Sequence, residues 1–308
     1  MNQPRYSDTI HNIFKFLPWW KYLIALGMIL SVSGVLAFWG TTIDWLKNIF
    51  IFILISDGIT VAFLLQMRLF LSQKNASDAT FLPSPWGNPV GIPNQNREKQ
   101  VNITIYFLFF LMAVIFFLVV QNNSQLIPLN FAFFFFVLII LINSFAGYLQ
   151  EFRWLEEISD GLITVFFPIV FSAFLHQNPL AQNHFLVYGV LVFCVYLAFR
   201  FVFSMSAYDH AVTFQPGLFP TLIRQGKFRT HHLFVVLAAI SLILFNRMGV
   251  YWRLLSPQLL VIPSLSLQII YLEKVMKGMV PNWKIIGSLA LINVFLVEYF
   301  QIITVWFE

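Results

Sequence analysis

Charged residues are scarce in this sequence. Only 10% of its 308 residues are Asp, Glu, Lys or Arg, whereas about 25% is typical of a soluble domain. Hydrophobic residues make up 59% of the chain and include 37 phenylalanines. A soluble protein of this composition would have to bury nearly every helix or strand that it forms. The composition therefore excludes an ordinary soluble domain and indicates an integral membrane protein.

Cysteine and the common catalytic motifs are also lacking. The one cysteine, Cys194, lies inside an apolar stretch, which excludes an internal disulfide and indicates a small packing residue. The sequence contains no phosphate-binding loop, zinc-protease motif, nucleophile elbow or Cys-x-x-Cys pair. Its lysines and arginines do not form a clustered basic face, so nucleic acid is not an expected partner.

Nine apolar stretches are long enough to cross a bilayer. A spanning helix needs roughly 20 mostly apolar residues, and its backbone must satisfy its own hydrogen bonds. The sequence therefore predicts an all-α polytopic helical bundle with about nine transmembrane helices, forming a single domain over residues 1–308. The predicted spans are Trp20–Trp39, Trp45–Leu65, Ile103–Val120, Ile127–Leu149, Gly161–Leu175, Phe185–Met205, Leu233–Phe245, Leu254–Leu272 and Ile285–Phe307.

The basic residues predict the orientation of the bundle, because cytoplasmic loops are enriched in Lys and Arg. With nine spans, 14 of the 18 Lys and Arg residues fall on the side of the N-terminus, and only Lys47, Arg247 and Arg253 fall on the other. Arg200 lies inside the sixth span, near the side of the N-terminus. Its side chain could reach the interface there, but a structural role is the expectation. We therefore expect a cytoplasmic N-terminus, in the inner or plasma membrane if the source is bacterial.

Two predicted cytoplasmic loops are long enough to carry function. The first covers residues 66–102 and contains a Pro- and Gly-rich stretch from Leu82 to Pro93, which excludes a continuous helix there. The second covers residues 206–232. The first 19 residues show no cleavable signal peptide, so the first span is expected to direct membrane insertion.

The second half of the chain resembles the UbiA superfamily of intramembrane prenyltransferases. Glu156-Glu157-Ile158-Ser159-Asp160-Gly161 followed by Pro168 is similar to the entry to the family's fifth span. Asp209, Gly217, Thr221-Leu222 and Gly226 are similar to the motif after its sixth span, with Thr213 in place of the second acid and one extra residue before Thr221. The resemblance implies a UbiA-like bundle of nine spans, with function at the two long loops.

The resemblance also implies a metal site, and this sequence departs from it. Family members hold Mg²⁺ and a prenyl diphosphate through two acidic clusters, which suits the preference of Mg²⁺ for oxygen ligands and its role in stabilising a leaving diphosphate. The first cluster is missing, because the chain reads Gln66-Met67-Arg68-Leu69-Phe70-Leu71-Ser72 in that region. A remnant site would use Asp78 and Asp209, with Glu98 as a further candidate ligand.

Other polar residues are candidates for binding without a metal. Lys74, Arg97, Arg224, Lys227 and Arg229 could hold an anionic head group, or they could only set topology and face lipid. Asp57 lies in the middle of the second span, where a charge is costly and often functional. It is a candidate ligand-binding residue lining a cavity, with a neutral, hydrogen-bonded carboxyl as the alternative.

Two functions of different class remain open. The first is a degenerate, non-catalytic UbiA-like protein that binds an isoprenoid-tailed lipid, quinone, carotenoid or chlorophyll-type pigment as a subunit of a larger membrane assembly, photosynthetic or respiratory. The second is a divergent, Mg²⁺-dependent prenyltransferase that joins a polyprenyl diphosphate to an aromatic, quinone-precursor or tetrapyrrole acceptor through Asp78 and Asp209. Membrane lipid is an expected partner in both cases, and other membrane subunits in the first.

Overall fold

A computed structural model describes most of the chain. The described residues are 17–38, 40–71, 80–81, 90–91, 98–121, 126–148, 153–176, 182–212, 220–247 and 261–306. Over these residues the chain forms nine helices and one minimal antiparallel β-ladder. The predicted helical bundle is therefore confirmed, in agreement with the hydropathy of the sequence.

The first four helices account for the first half of the bundle. Helix α1 is Trp19–Phe38, α2 is Trp45–Leu71, α3 is Glu98–Val120 and α4 is Leu126–Tyr148. Between α2 and α3, strand β1 (Thr80–Phe81) pairs with β2 (Val90–Gly91) in antiparallel register. Strand β1 lies directly before, and β2 lies within, the stretch Leu82–Pro93 that the prolines and glycines predicted to be non-helical.

The remaining five helices begin with an irregular one. Helix α5 consists of the α-helical segments Arg153–Gly161 and Phe167–Leu175, joined by the π-helical turn Leu162–Phe166. Helix α6 is Gln182–Val212, α7 is Pro220–Arg247, α8 is Val261–Met276 and α9 is Trp283–Trp306. Eight of the nine helices are long and apolar enough to cross a membrane, and the exception is the 16-residue α8.

Several predicted boundaries differ from the observed ones. Helix α2 ends at Leu71 rather than Leu65 and α3 begins at Glu98 rather than Ile103, so both ends of the predicted loop 66–102 are helical. Helix α5 begins at Arg153 rather than Gly161, and α7 begins at Pro220 rather than Leu233. Because α6 also continues to Val212, most of the segment predicted as the loop 206–232 is helical. Hydropathy marks where a chain becomes polar, and a helix keeps its own hydrogen bonds beyond that point. In α5 the polar residues missed by hydropathy are also paired inside the protein, as described below.

Two apolar cores share helices α1 and α5. One core is formed by α1, α6, α7, α8 and α9 with residues such as Val165 and Ile169 from α5. The other is formed by α2, α3, α4 and α5 with Ala25 and Ile29 from α1. Helices α1 and α5 therefore lie in the centre of the bundle, where any polar side chain must find its partner within the protein.

The π-helical turn of α5 has a local cause. Pro168 lies two residues after the turn and has no backbone N–H, so the Thr164 carbonyl loses its ordinary partner. The Phe167 N–H bonds instead to the Leu162 carbonyl, five residues back. Such wider turns rotate the helix on either side and often occur at functional sites. This one lies directly after Asp160 and Gly161, at the central polar site of the molecule.

Candidate functional site

A buried group of charged side chains joins four helices, and we call it the ionic cluster. It consists of Lys21 (α1), Glu156, Glu157 and Asp160 (α5), Tyr196 and Arg200 (α6) and Lys227 (α7). Arg200, Asp160 and Glu157 are 6%, 3% and 4% exposed. Charges buried to this degree in a membrane protein are costly unless they are paired, and each of these is paired.

Asp160 is the centre of the ionic cluster. It forms an ion pair with Lys21, and its Oδ2 lies 2.8 Å from the Arg200 Nε. The Tyr196 hydroxyl donates a hydrogen bond of 2.7 Å to the same Oδ2. One carboxylate therefore connects α5 to α1 and twice to α6. Removing it would leave two buried cations without their nearest anion.

The two glutamates extend the ionic cluster to either side. Glu156 Oε1 lies 3.6 Å from an Arg200 nitrogen, and Glu157 Oε1 lies 4.0 Å from the Lys227 Nζ. Lys227 also donates to the Ser204 hydroxyl of α6. Three cations and three carboxylates thus balance one another, and the cluster has no net charge when all of them are ionised.

Amide side chains connect the ionic cluster to α2 and α4. The Gln66 Nε2 donates to the Asn143 Oδ1 at 2.8 Å and reaches Glu156 Oε1 at 3.5 Å. The Asn143 Nδ2 in turn donates to the Ser159 hydroxyl and to the Glu156 carbonyl, both at 3.0 Å. Gln66 stands where the resemblance placed an acidic motif, and it serves as a hydrogen-bond donor between helices.

Aromatic rings enclose the cations of the ionic cluster. The Arg200 guanidinium lies 4.7 Å from the Phe203 ring centroid, and the Lys21 Nζ lies 5.4 Å from that of Trp20. Trp20 is itself buried and packs edge-on against Phe199 at 4.9 Å. Cation–π contacts of this kind gain strength when water is excluded. Arg200 therefore stays inside the protein, which agrees with the expected structural role rather than with a side chain that reaches the interface.

The predicted site residues are only partly within the described residues. Asp78, Lys74 and Arg97 lie outside them, as does Glu98 beyond its backbone. Asp209 and Arg224 lie on the backbones of α6 and α7, and their side chains are not described. Of the others, Lys227 belongs to the ionic cluster, whereas Arg229 lies exposed on α7.

Asp57 is buried, as its position in the second span predicted. It is 9% exposed, and its Oδ2 has no hydrogen-bond partner among the described residues. It interacts electrostatically with Tyr22, whose hydroxyl is 2.9 Å from that of Thr60. No ion pair among the described residues includes Asp57. Asp57 therefore differs from Asp160, which has two cationic partners.

The three described histidines each have a partner within the bundle. His176 contacts the Ser172 carbonyl at 2.8 Å, and burial lowers the pKa of its imidazole. His231 lies 3.2 Å from the Gln268 Oε1, and the His232 Nε2 lies 3.7 Å from Glu273. Within the described ranges, no three His, Cys, Asp or Glu side chains come together as a metal-binding group.

Sequence reasoning missed the ionic cluster. Lys21 was counted among the charges that set topology, Lys227 was a candidate either for an anionic head group or for setting topology, and Glu156 and Asp160 were part of a family motif. One feature of the sequence could have indicated the cluster. Several acids lie in one helical stretch and Arg200 lies in a predicted span, and buried charges in a membrane protein require partners. Which residues would meet could not be read from the sequence.

Comparison with known proteins identified no match. No family model, no curated protein and no solved structure matches this chain. The resemblance to the UbiA superfamily stays a prediction. The class that the fold itself establishes is a helical bundle whose length and hydropathy suit a membrane.

Proposed function

We propose that this protein is a non-catalytic membrane subunit that binds an isoprenoid-tailed lipid, quinone or pigment along the outer face of α3 and α4. The observation that carries the proposal is the aromatic character of that face. Eight outward aromatic side chains on these two helices are between 52% and 68% exposed. They are Tyr106, Phe107, Phe110, Phe117, Phe131, Phe134, Phe135 and Phe145.

The aromatic residues follow the helical repeat, so they form stripes. On α3 they occur at steps of one, three and seven residues from Tyr106 to Phe117, and on α4 they run from Phe131 to Phe145. The two helices both pack on α2, and the Phe116 and Phe133 rings stack between them with centroids 4.1 Å apart. The stripes therefore adjoin and form one broad surface, the aromatic face.

A comparison within the bundle distinguishes the aromatic face from ordinary lipid exposure. Among the α7 side chains that the structure describes, the exposed large hydrophobic ones are aliphatic: Leu233, Val236, Leu237, Ile240, Ile243 and Leu244. If acyl chains alone had to be matched, both outer surfaces would serve equally well. Aromatic rings give large, rigid contact area at low entropic cost, which suits the stiff, methyl-branched tails of isoprenoids and the planes of pigments.

The ionic cluster supports the non-catalytic part of the proposal. Lys21, Arg200 and Lys227 are each matched by a carboxylate, so these cations are engaged within the protein rather than presented to a diphosphate. Their arrangement suits a role in fixing α1, α5, α6 and α7 relative to one another. The charge asymmetry of the sequence supports placing the N-terminus in the cytoplasm.

Equilibrium binding in nanodiscs tests the proposal. The probe is a radiolabelled benzoquinone with a polyisoprenyl tail, and the variant combines Phe110→Leu, Phe117→Leu, Phe134→Leu and Phe135→Leu. We expect affinity to fall about tenfold or more, since each aromatic contact contributes about 0.5–1.5 kcal/mol and tenfold corresponds to about 1.4 kcal/mol. The matched control, Val236→Leu with Ile240→Leu and Ile243→Leu on α7, should bind as the wild type does.

Equal affinity of the aromatic-face variant and the α7 control would reject the proposed site. A second assay addresses the catalytic alternative with a polyprenyl diphosphate, Mg²⁺ and an aromatic acid acceptor. Product formation that is abolished by Asp209→Asn would show a prenyltransferase and contradict the non-catalytic assignment. Extraction of the natively purified protein would identify the bound isoprenoid and any accompanying subunits.

A further inference from the structure

Glu298 of α9 has a carboxyl group that is enclosed between helices. It is 3% exposed and packs directly on the backbone of α1 at Gly27. A methyl group added to Gly27 would lie 2.1 Å from the Glu298 Oε2 and 2.9 Å from its Cδ. The absence of a side chain at Gly27 therefore makes room for this carboxyl.

No cation accompanies Glu298 within the described part of the chain. None of the ion pairs there includes it, and its Oε1 has no hydrogen-bond partner. Lys21 of α1 and Arg200 of α6 pair with Asp160, and Glu273 of α8 pairs with His232. The other titratable residues described on the helices that pack against α9, and on α9 itself, are Tyr22, Tyr188, Cys194, Tyr196, Tyr271, Lys274, Lys284 and Tyr299.

The groups close to Glu298 are neutral hydroxyls. Tyr188 of α6 interacts electrostatically with both Glu298 and Ser31, and all three are buried. The Ser31 hydroxyl donates to the Gly27 carbonyl at 2.7 Å and lies 3.4 Å from the Glu298 carbonyl. On the same helix, the Asn293 side chain is 0% exposed, and neither of its amide atoms has a hydrogen-bond partner among the described residues.

An ionised carboxylate in such a place is strongly disfavoured, because a buried charge without a counter-ion costs several kcal/mol. A hard metal cation would require several converging oxygen ligands, and the described residues contain no group of three His, Cys, Asp or Glu side chains. A proton needs only one carboxyl oxygen. We propose that Glu298, in its setting of Gly27, Ser31 and Tyr188, is a reversible proton-binding site in the membrane interior.

The proposed reaction is the release of one proton from the Glu298 carboxylic acid to water, leaving the carboxylate, and its reversal. The neutral form is compatible with the close approach of α9 to α1 at Gly27. The carboxylate form requires hydration, and this is expected to loosen that contact. The proposal is independent of the ligand assigned to the aromatic face, because α3 and α4 do not contribute to this site.

Infrared difference spectroscopy in lipid nanodiscs tests the site directly, because a protonated carboxyl has its own carbonyl stretching band. We expect the wild type to show this band at neutral pH and to lose it reversibly on alkaline titration. Glu298→Gln should lack the titrating band, and Glu298→Asp should retain it at a shifted frequency. Asp57→Asn is the matched control, since among the described residues it removes a second buried carboxyl that has no cationic partner, and it should leave the Glu298 band in place.

Two outcomes would overturn the proposal. An unchanged titrating band in the Glu298→Gln protein would assign the band to another group. If the intensity of the band at a fixed pH changes with sodium concentration, a metal cation competes with the proton for the carboxylate. The Glu298→Asp protein keeps the test decisive if Glu298→Gln fails to fold, because a shifted frequency by itself assigns the band to position 298.

Discussion

Lys21 on α1 forms an ion pair with Asp160 on α5, although 139 positions separate them in the chain. Both side chains are almost fully buried, with 15% and 4% of their surfaces exposed. The pair lies between the two apolar cores that α1 and α5 share, so it fixes the two central helices to each other.

Asp160→Asn should strongly destabilise the bundle. It removes the anion shared by Lys21 and Arg200 and leaves two buried cations, and breaking a buried pair typically costs about 3–5 kcal/mol. Unfolding by sodium dodecyl sulfate in mixed micelles measures the change. Asp44→Asn is the control, because Asp44 pairs with Lys47 at 4.0 Å with 48% of its side chain exposed, and such pairs contribute about 0–1 kcal/mol. Equal losses would contradict the central role of Asp160.

The Glu157–Lys227 pair should be replaceable as a unit. Lys227→Met alone leaves Glu157 buried without its cation, whereas Glu157→Gln combined with Lys227→Met removes both charges and is often near neutral. We expect the single variant to lose more stability than the double variant in a double-mutant cycle. Arg229→Gln, at an exposed position two residues away, should change stability little. If the double variant were less stable than the single variant, the charges themselves would stabilise the fold.

Gly27→Ala should weaken the contact between α1 and α9. The added methyl group would overlap the Glu298 carboxyl, so the Glu298 side chain or the helix must move. Gly226→Ala is a matched helical control, because nothing lies within 4 Å of its added methyl group and alanine favours a helix by about 1 kcal/mol. Relative to the wild type, Gly27→Ala should lower the thermal unfolding temperature and Gly226→Ala should raise it. Combining Gly27→Ala with Glu298→Ala should restore part of the loss, and its failure to do so would place the strain elsewhere.

The four consecutive phenylalanines on α4 should differ in how much each contributes to stability, because some are buried and others are exposed. Phe136 is 0% exposed and packs edge-on against Phe167 and Phe171 at 5.0 and 5.7 Å, so Phe136→Ala should cost about 3–5 kcal/mol. Phe134 is 63% exposed, and Phe134→Ala should leave the unfolding transition nearly unchanged. Similar unfolding curves for the two variants would contradict the helix register described here.

The orientation predicted from Lys and Arg can be measured with cysteines. In a Cys194→Ser background, Val280→Cys in the exposed turn between α8 and α9 should react with a membrane-impermeant maleimide only from the cytoplasmic side. Asp44→Cys, between α1 and α2, should react only from the opposite side. Val280 is 86% exposed. The reverse labelling pattern would place the N-terminus outside, and labelling of both from one side would reject an odd number of crossings between them.

The tripeptides Ser56-Asp57-Gly58 and Ser159-Asp160-Gly161 show where sequence reasoning stops. They are identical in sequence, and in both the glycine packs under aromatic rings, Phe136 over Gly58 and Phe193 with Tyr196 over Gly161. Yet Asp160 has two cations, and Asp57 has none among the described residues. The difference comes from Lys21 and Arg200, which belong to other helices.

The sequence alone determined the class of protein and the helical nature of its apolar stretches. Hydropathy is a local property, and a bilayer requires each apolar stretch to satisfy its own backbone, so the nine helices of the described residues followed from composition and length. Helix ends were misjudged where polar residues continued a helix, as at Arg153 and Pro220. Only the tertiary structure decided which charges are paired, because ion pairs between helices depend on packing among residues that are distant in the chain. The ionic cluster, the aromatic face and the lone Glu298 all arise at that level.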